Sequence, residues 1–99
     1  MSDPVQAFSK LMAEHEQARL DFIRTDLELC LTLATVAETA YSIGHRAHAE
    51  RTIASAEKGY SDMLLYFSQA TGMTTEIESE LQSKFKRLRE RLDEVQKSR

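Results

Sequence analysis

The chain has 99 residues, of which 41% are hydrophobic and 29% charged, with a formal charge of −3. This length fits one domain with a modest core, and no apolar run reaches the roughly 20 residues that span a bilayer. The lone cysteine excludes an internal disulfide framework and a multi-cysteine zinc site. Together with the absence of a basic, apolar leader at the first residues, it favours a cytoplasmic protein.

The first predicted helix covers residues 4–43. Asp3 suits the capping position and Pro4 the first helical position, and no other glycine or proline occurs before Gly44. A capping-box sequence beginning at Thr25 is the one place where a break could be hidden. The apolar periodicity crosses it without a change of phase, which favours a single helix about 60 Å long.

Two apolar stripes follow this helix with a period of seven residues. The first seam comprises Leu20, Ile23, Leu27, Cys30, Ala34, Ala37, Tyr41 and Gly44. The second seam comprises Phe22, Leu29, Val36 and Ile43. Two apolar seams on one helix predict that it packs against two neighbours and is central to the fold.

Two further helices are predicted at residues 46–70 and 75–97. Gly44 and Gly72 suit the ends of the first and second helices, and Thr75 with Glu78 forms a capping box for the third. Because both connections are short, consecutive helices should lie antiparallel. The predicted fold class is therefore all-α, a single domain over residues 1–99 built as an antiparallel three-helix bundle with a long first helix.

The middle of the chain carries small and apolar residues at regular spacing, namely Leu33, Val36, Ala37, Ala40, Gly44, Ala49, Ile53 and Ala56. In this spacing residues 33–56 resemble one helical hairpin of the tetratricopeptide repeat (TPR) family. Any close antiparallel helix pair also selects small residues at these positions. The resemblance implies a role in protein–protein interaction, with Glu38 and Ser42 as exposed contacts for a partner.

Surplus apolar surface points to the same class of function. Phe8, Leu11 and Met12 form an apolar cluster near the start of the first helix, far from the hairpin turn. A second helix of some 25 residues covers about 38 Å of a 60 Å helix, so the N-terminal third should overhang. We expect this overhang to bind a second copy of the chain, giving a homodimer, unless the end of the second helix and the third helix fold back over it in a closed monomer.

One alternative function rests on charge. Residues 1–83 carry six basic and thirteen acidic side chains, whereas residues 84–99 carry seven basic and three acidic ones. Lys84, Lys86, Arg87 and Arg91 could therefore contact nucleic-acid phosphates in an accessory protein. Charges matched to the helix dipole, with Glu80–Lys84 and Arg89–Asp93 pairs, explain the same pattern.

Another alternative rests on two histidines. His45 and His48 lie three residues apart and could form a metal or phosphotransfer site, but no third ligand is recognisable. Cys30 lies within an apolar seam, where a thiol is unreactive. No nucleophile elbow or glycine-rich phosphate loop occurs, so the sequence predicts a non-enzymatic interaction or scaffold module with no catalytic residue, cofactor or bound metal.

Overall fold

The computed structural model describes residues 4–97, without the side chains of Phe8 and Met12. Over that range the chain forms three helices and no strand, and the helices are α1 (Pro4–Ser42), α2 (Arg46–Gln69) and α3 (Thr75–Lys97). The predicted all-α helical bundle is confirmed. Helix α1 passes Thr25 without a break, and the predicted Asp3 cap lies outside the described residues.

Consecutive helices run in opposite directions. The α1–α2 pair is antiparallel, since Arg19 of α1 meets the carbonyl of Gln69 near the end of α2. The α1–α3 pair is parallel, since the ion pairs Arg24–Glu80 and Glu38–Arg91 follow the same order along both helices. The architecture is thus an up-down-up bundle, in which α3 lies beside both of the other helices.

Two glycines and a threonine set the connections between the helices. Gly44 and Gly72 have φ angles of 84° and 71°, a left-handed conformation that side chains with a Cβ adopt at a cost. The hydroxyl of Thr74 accepts a hydrogen bond from the backbone N–H of Ile77 at 3.2 Å. The cap of α3 is therefore Thr74, and the predicted capping box on Thr75 is wrong because Thr75 is already the first helical residue.

The core lies where the first seam of α1 meets α2 and α3. From α1 the buried residues are Leu20, Ile23, Leu27, Cys30, Ala34 and Ala37. Helix α3 contributes Leu81, Phe85, Leu88, Leu92 and Val95, and α2 contributes Ile53, Ala56 and Met63. The Phe85 ring stands edge-on to Tyr60 and Phe67, with centroids 5.9 and 5.3 Å apart, so aromatic packing joins α2 to α3.

Helices α1 and α2 are in close contact where Gly59 meets Cys30. A Cβ built on Gly59 would lie 2.6 Å from the Cys30 sulfur, well inside van der Waals contact. The missing side chain of Gly59 therefore allows this approach, at the cost of helix propensity in the middle of α2.

The start of α1 extends past the rest of the bundle, as the lengths of the predicted helices indicated. The molecule measures 64 × 23 × 16 Å. The α2–α3 connection reaches α1 at Glu16, whose carboxylate accepts a hydrogen bond from the N–H of Thr71. All described side chains from Pro4 to His15 are exposed, and we call this segment the N-terminal overhang.

Candidate interaction surface

The second seam of α1 faces outward. Phe22, Leu29, Val36 and Ile43 are 53%, 52%, 41% and 62% exposed. Helix α1 does pack against two neighbours, α2 and α3, as predicted, but the implied use of the second seam for one of them is wrong. Helices α2 and α3 both pack on the first seam, where small residues such as Ala34 and Ala37 let two helices approach closely, and no described helix is left to cover the other side.

The second seam forms one stripe along α1. At 1.5 Å per residue, its four members span about 32 Å. Phe22 at one end stands edge-on to Tyr66 of α2, with ring centroids 5.9 Å apart, so the stripe continues onto α2. Tyr66 is 41% exposed, and its neighbour Leu65 is also exposed.

The C-terminal half of this face has little charge. Between Leu29 and Ile43 the single charged residue is Glu38, which turns towards α3 and pairs with Arg91. Exposed threonines recur every seven residues beside the second seam, at Thr25, Thr32 and Thr39. Charge depletion around exposed apolar side chains is typical of the centre of a protein interface.

Several hydroxyl groups on this half of α1 bond to the helix backbone. Thr32 donates to the carbonyl of Glu28 at 3.2 Å, and Thr35 donates to the carbonyl of Leu31 at 3.3 Å. Because these donors are already satisfied, a partner could cover them without leaving a buried donor unpaired. Sequence reasoning missed this feature, although the number of threonines beside the second seam was a readable signal.

An open groove of about 360 Å³ lies at the C-terminal end of the second seam, by the α1–α2 turn. Its lining residues are Thr35, Val36, Thr39, Ala40, Ile43, His45 and His48. The exposed stripe therefore ends in a concave, largely apolar surface rather than on a convex helix end.

The predicted partner contacts Glu38 and Ser42 both bind within the chain. Arg91 of α3 donates to both carboxylate oxygens of Glu38, at 2.8 and 3.0 Å, and this pairing lowers the pKa of Glu38 below its usual range. The exposed Ser42 hydroxyl donates to the carbonyl of Thr39 at 2.8 Å. Their role in partner binding remains a prediction.

The predicted dimer contacts of the overhang are described only in part. Leu11 is 61% exposed and lies three helical turns before Phe22, on the same side of α1. The side chains of Phe8 and Met12 lie outside the described residues.

The basic residues of α3 are divided between ion pairs and solvent. Lys84 binds Glu28 at 2.7 Å and Arg24 binds Glu80 at 2.6 Å, so both members of the predicted local Glu80–Lys84 pair instead reach α1. The predicted Arg89–Asp93 pair is present at 2.8 Å.

Of the four residues expected to contact nucleic acid, two have acidic partners within the chain. Lys84 pairs with Glu28 and Arg91 with Glu38, whereas Lys86 and Arg87 are exposed. The positive charge available to phosphates is therefore smaller than the sequence count indicates.

His45 and His48 are both exposed at the start of α2, and His45 forms no capping hydrogen bond through its side chain. Among the residues that the structure describes, no group of three or more His, Cys, Asp or Glu side chains is placed to hold a metal ion. Within the same range, no helix is long and apolar enough to cross a membrane.

Cys30 is buried at the α1–α2 contact. Burial and the nearby charge of Asp26 raise the pKa of its thiol to about 11, so the thiol is protonated at neutral pH. A protonated, buried thiol is a weak nucleophile, which agrees with the structural role expected for this residue.

No protein-family model, curated protein or solved structure matches the chain at a significant level.

Proposed function

We propose that this protein is a small non-enzymatic interaction or scaffold module, and that the second seam of α1 is its contact surface. The observation that carries this proposal is the outward position of Phe22, Leu29, Val36 and Ile43, each at least 41% exposed. The TPR-like character of residues 33–56 is a separate part of the proposal, because the contacts that it implies, Glu38 and Ser42, do not belong to the second seam.

The arrangement of these side chains matters more than their number. Single exposed apolar residues are common on soluble proteins and need no explanation. Four of them aligned on one helix, at a constant spacing of seven residues, form a continuous stripe. Residues seven positions apart stay on one face of a helix, so the stripe fits a partner segment that lies along α1, such as another helix.

The surroundings of the stripe support the same function. Burying an unpaired charged side chain is unfavourable. The one charged residue between Leu29 and Ile43 is Glu38, which pairs with Arg91 of α3. The hydroxyls of Thr32 and Thr35 are satisfied by their own helix. A partner therefore displaces water from apolar and internally bonded groups, which favours association.

Site-specific crosslinking in cells tests this function. A photoreactive amino acid replaces Val36, and the matched control carries it at the exposed Ser83 of α3. We expect a discrete crosslinked species, either with another protein or with the chain itself, from position 36 and not from position 83. Equal labelling at both positions, or no crosslink at position 36 in cells that contain the folded protein, would contradict the proposal.

A further inference from the structure

We propose that the occupant of the second seam is the same seam of a second copy, with the two α1 helices antiparallel about a two-fold axis between residues 32 and 33. This inference rests on the proposed function and names its partner. In this arrangement Phe22 lies opposite Ile43 of the second copy, and Leu29 lies opposite Val36 of the second copy.

The spacing of the second seam is self-complementary. A two-fold interface requires that if residue i contacts residue j of the second copy, then j contacts i of the second copy. The four members are separated by seven residues throughout, so an antiparallel copy centred between Leu29 and Val36 places every member opposite another. The stripe thus covers itself completely with no additional apolar residue.

Charge selects this register among the antiparallel ones. In the proposed register, the edge residues Asp21 and Glu28 lie beside uncharged residues of the second copy, because the C-terminal half of the face carries Thr35 and Ser42 there. Moving the two-fold axis one heptad towards the N-terminus of α1 places Glu28 beside Glu28 of the second copy. Sliding one heptad the other way leaves Phe22 uncovered, so both shifts are unfavourable.

Charge also disfavours a parallel pair. In a parallel coiled coil, a residue on one edge of the contact lies near the residue of the partner helix that is five positions further along the sequence, on the opposite edge. Asp21 would then lie near Asp26 of the second copy, and the same repulsion would occur twice across the two-fold axis. The antiparallel pairing avoids this contact.

The size of the stripe sets the strength expected of the dimer. A strip about 32 Å long and one helix wide gives an interface at the small end of the range, below about 1,200 Å² in total, where complexes are weak and reversible. We therefore expect dissociation in the micromolar range rather than the nanomolar range.

Sedimentation of the purified full chain tests the face. Val36→Glu puts a carboxylate at the centre of the contact in each copy and should raise the dissociation constant at least about 100-fold, since both carboxylates would be buried unpaired. The matched control is Leu11→Glu, on an apolar residue of the overhang that is more exposed than Val36, and it should leave the dimer unchanged. Dissociation by Leu11→Glu, with no effect of Val36→Glu, would overturn the proposal in favour of an overhang dimer.

Disulfide trapping tests the direction. Leu29→Cys and Val36→Cys proteins are oxidised separately and as a mixture, because only opposed positions reach the Cα separation of about 4.4–6.8 Å that a disulfide needs. The antiparallel dimer predicts crosslinking in the mixture alone, and the buried Cys30 stays reduced in each protein. Crosslinking of either protein by itself, or none in the mixture, would overturn the inference.

The two proposals fail separately. A purified chain that stays monomeric, while Val36 crosslinks in cells to a different protein, would overturn the self-association and leave the interaction function standing. No crosslink from position 36 in cells would overturn the function itself.

Discussion

Gly59 shows how one missing side chain sets the distance between two helices. Its position would place a Cβ 2.6 Å from the Cys30 sulfur. A glycine inside a helix is ordinarily a weakness, and replacing it by alanine stabilises a helix by about 0.5–1 kcal/mol where space allows. Here the space is occupied by the sulfur, so sterics and helix propensity act in opposite directions.

We predict that Gly59→Ala destabilises the protein by about 1–3 kcal/mol, because overpacking at the α1–α2 contact exceeds the gain in helix propensity. Urea unfolding followed by circular dichroism measures the change. In a Cys30→Ala background the sulfur is absent, and the same substitution should become neutral or stabilising. If Gly59→Ala stabilised the protein in both backgrounds, the close contact would not exist in solution.

At the residue scale, the sequence predicted which charged side chains form ion pairs, but it predicted the partner of each less well. Arg89 and Asp93 pair as expected along one helix. Glu80 and Lys84 have the same spacing but bind α1 instead, at Arg24 and Glu28. Spacing within a helix shows that a local pair is possible, whereas the choice between a local and a distant partner depends on which helices are neighbours.

Helix α3 is held to both neighbours by ion pairs as well as by its core residues. Arg89 binds both carboxylate oxygens of Glu57 on α2, at 2.6 and 2.8 Å, and lies 5.1 Å from the centre of the Tyr60 ring. The hydrogen bonds from Arg89 lower the pKa of Glu57 below its ordinary value of 4.5, against the opposing effect of burial. This ion pair therefore stabilises the folded state whenever Glu57 is ionised.

The pH dependence follows from the direction of this shift. A lowered folded-state pKa gives a contribution that is complete above the ordinary value of 4.5 and is lost as the pH falls through the folded-state pKa. We predict that Glu57→Gln lowers the free energy of unfolding by about 1 kcal/mol at pH 7. The difference from wild type, measured by urea unfolding, should shrink as the pH falls below 4.5.

The matched control is Glu90→Gln, at an exposed position of α3, and it should change the free energy of unfolding little at either pH. A Glu57→Gln difference that stayed constant from pH 7 to pH 3 would show that ionisation of Glu57 does not stabilise the α2–α3 contact.

At the element scale, the sequence predicted where the helices begin and end, but not that both neighbours of α1 pack on the same seam. The apolar period and the glycines place the helices at 4–43, 46–70 and 75–97, and the structure has Pro4–Ser42, Arg46–Gln69 and Thr75–Lys97. The first seam has two members in every seven residues and the second seam has one, so the denser pattern of the first seam favours its burial. Small residues at Ala34 and Ala37 distinguish the buried seam, because they let two helices approach together.

The whole molecule combines a three-helix bundle with an overhang that the bundle does not cover. Between Pro4 and His15 all described side chains are exposed. Folding of the bundle should therefore be independent of this segment. The extended shape, 64 Å along the long axis, follows from the overhang.

We predict that removal of residues 1–13 leaves the bundle folded and changes the free energy of unfolding by less than about 0.5 kcal/mol. The helical circular dichroism signal should fall only in proportion to the helical residues removed. Thermal unfolding followed by circular dichroism measures the helical signal and the stability of the shortened chain. A drop in Tm of more than about 10 °C would mean that the overhang packs on the bundle in solution.

The central claim, that the second seam of α1 is a contact surface and pairs with itself, is tested most directly by methyl NMR spectra of the full chain, diluted from about 1 mM to about 10 μM. We predict that resonances of Leu29, Val36 and Ile43 shift with concentration, while those of the buried Leu88 and Val95 stay constant. Shifts confined to other surfaces, or spectra that do not change on dilution, would contradict it.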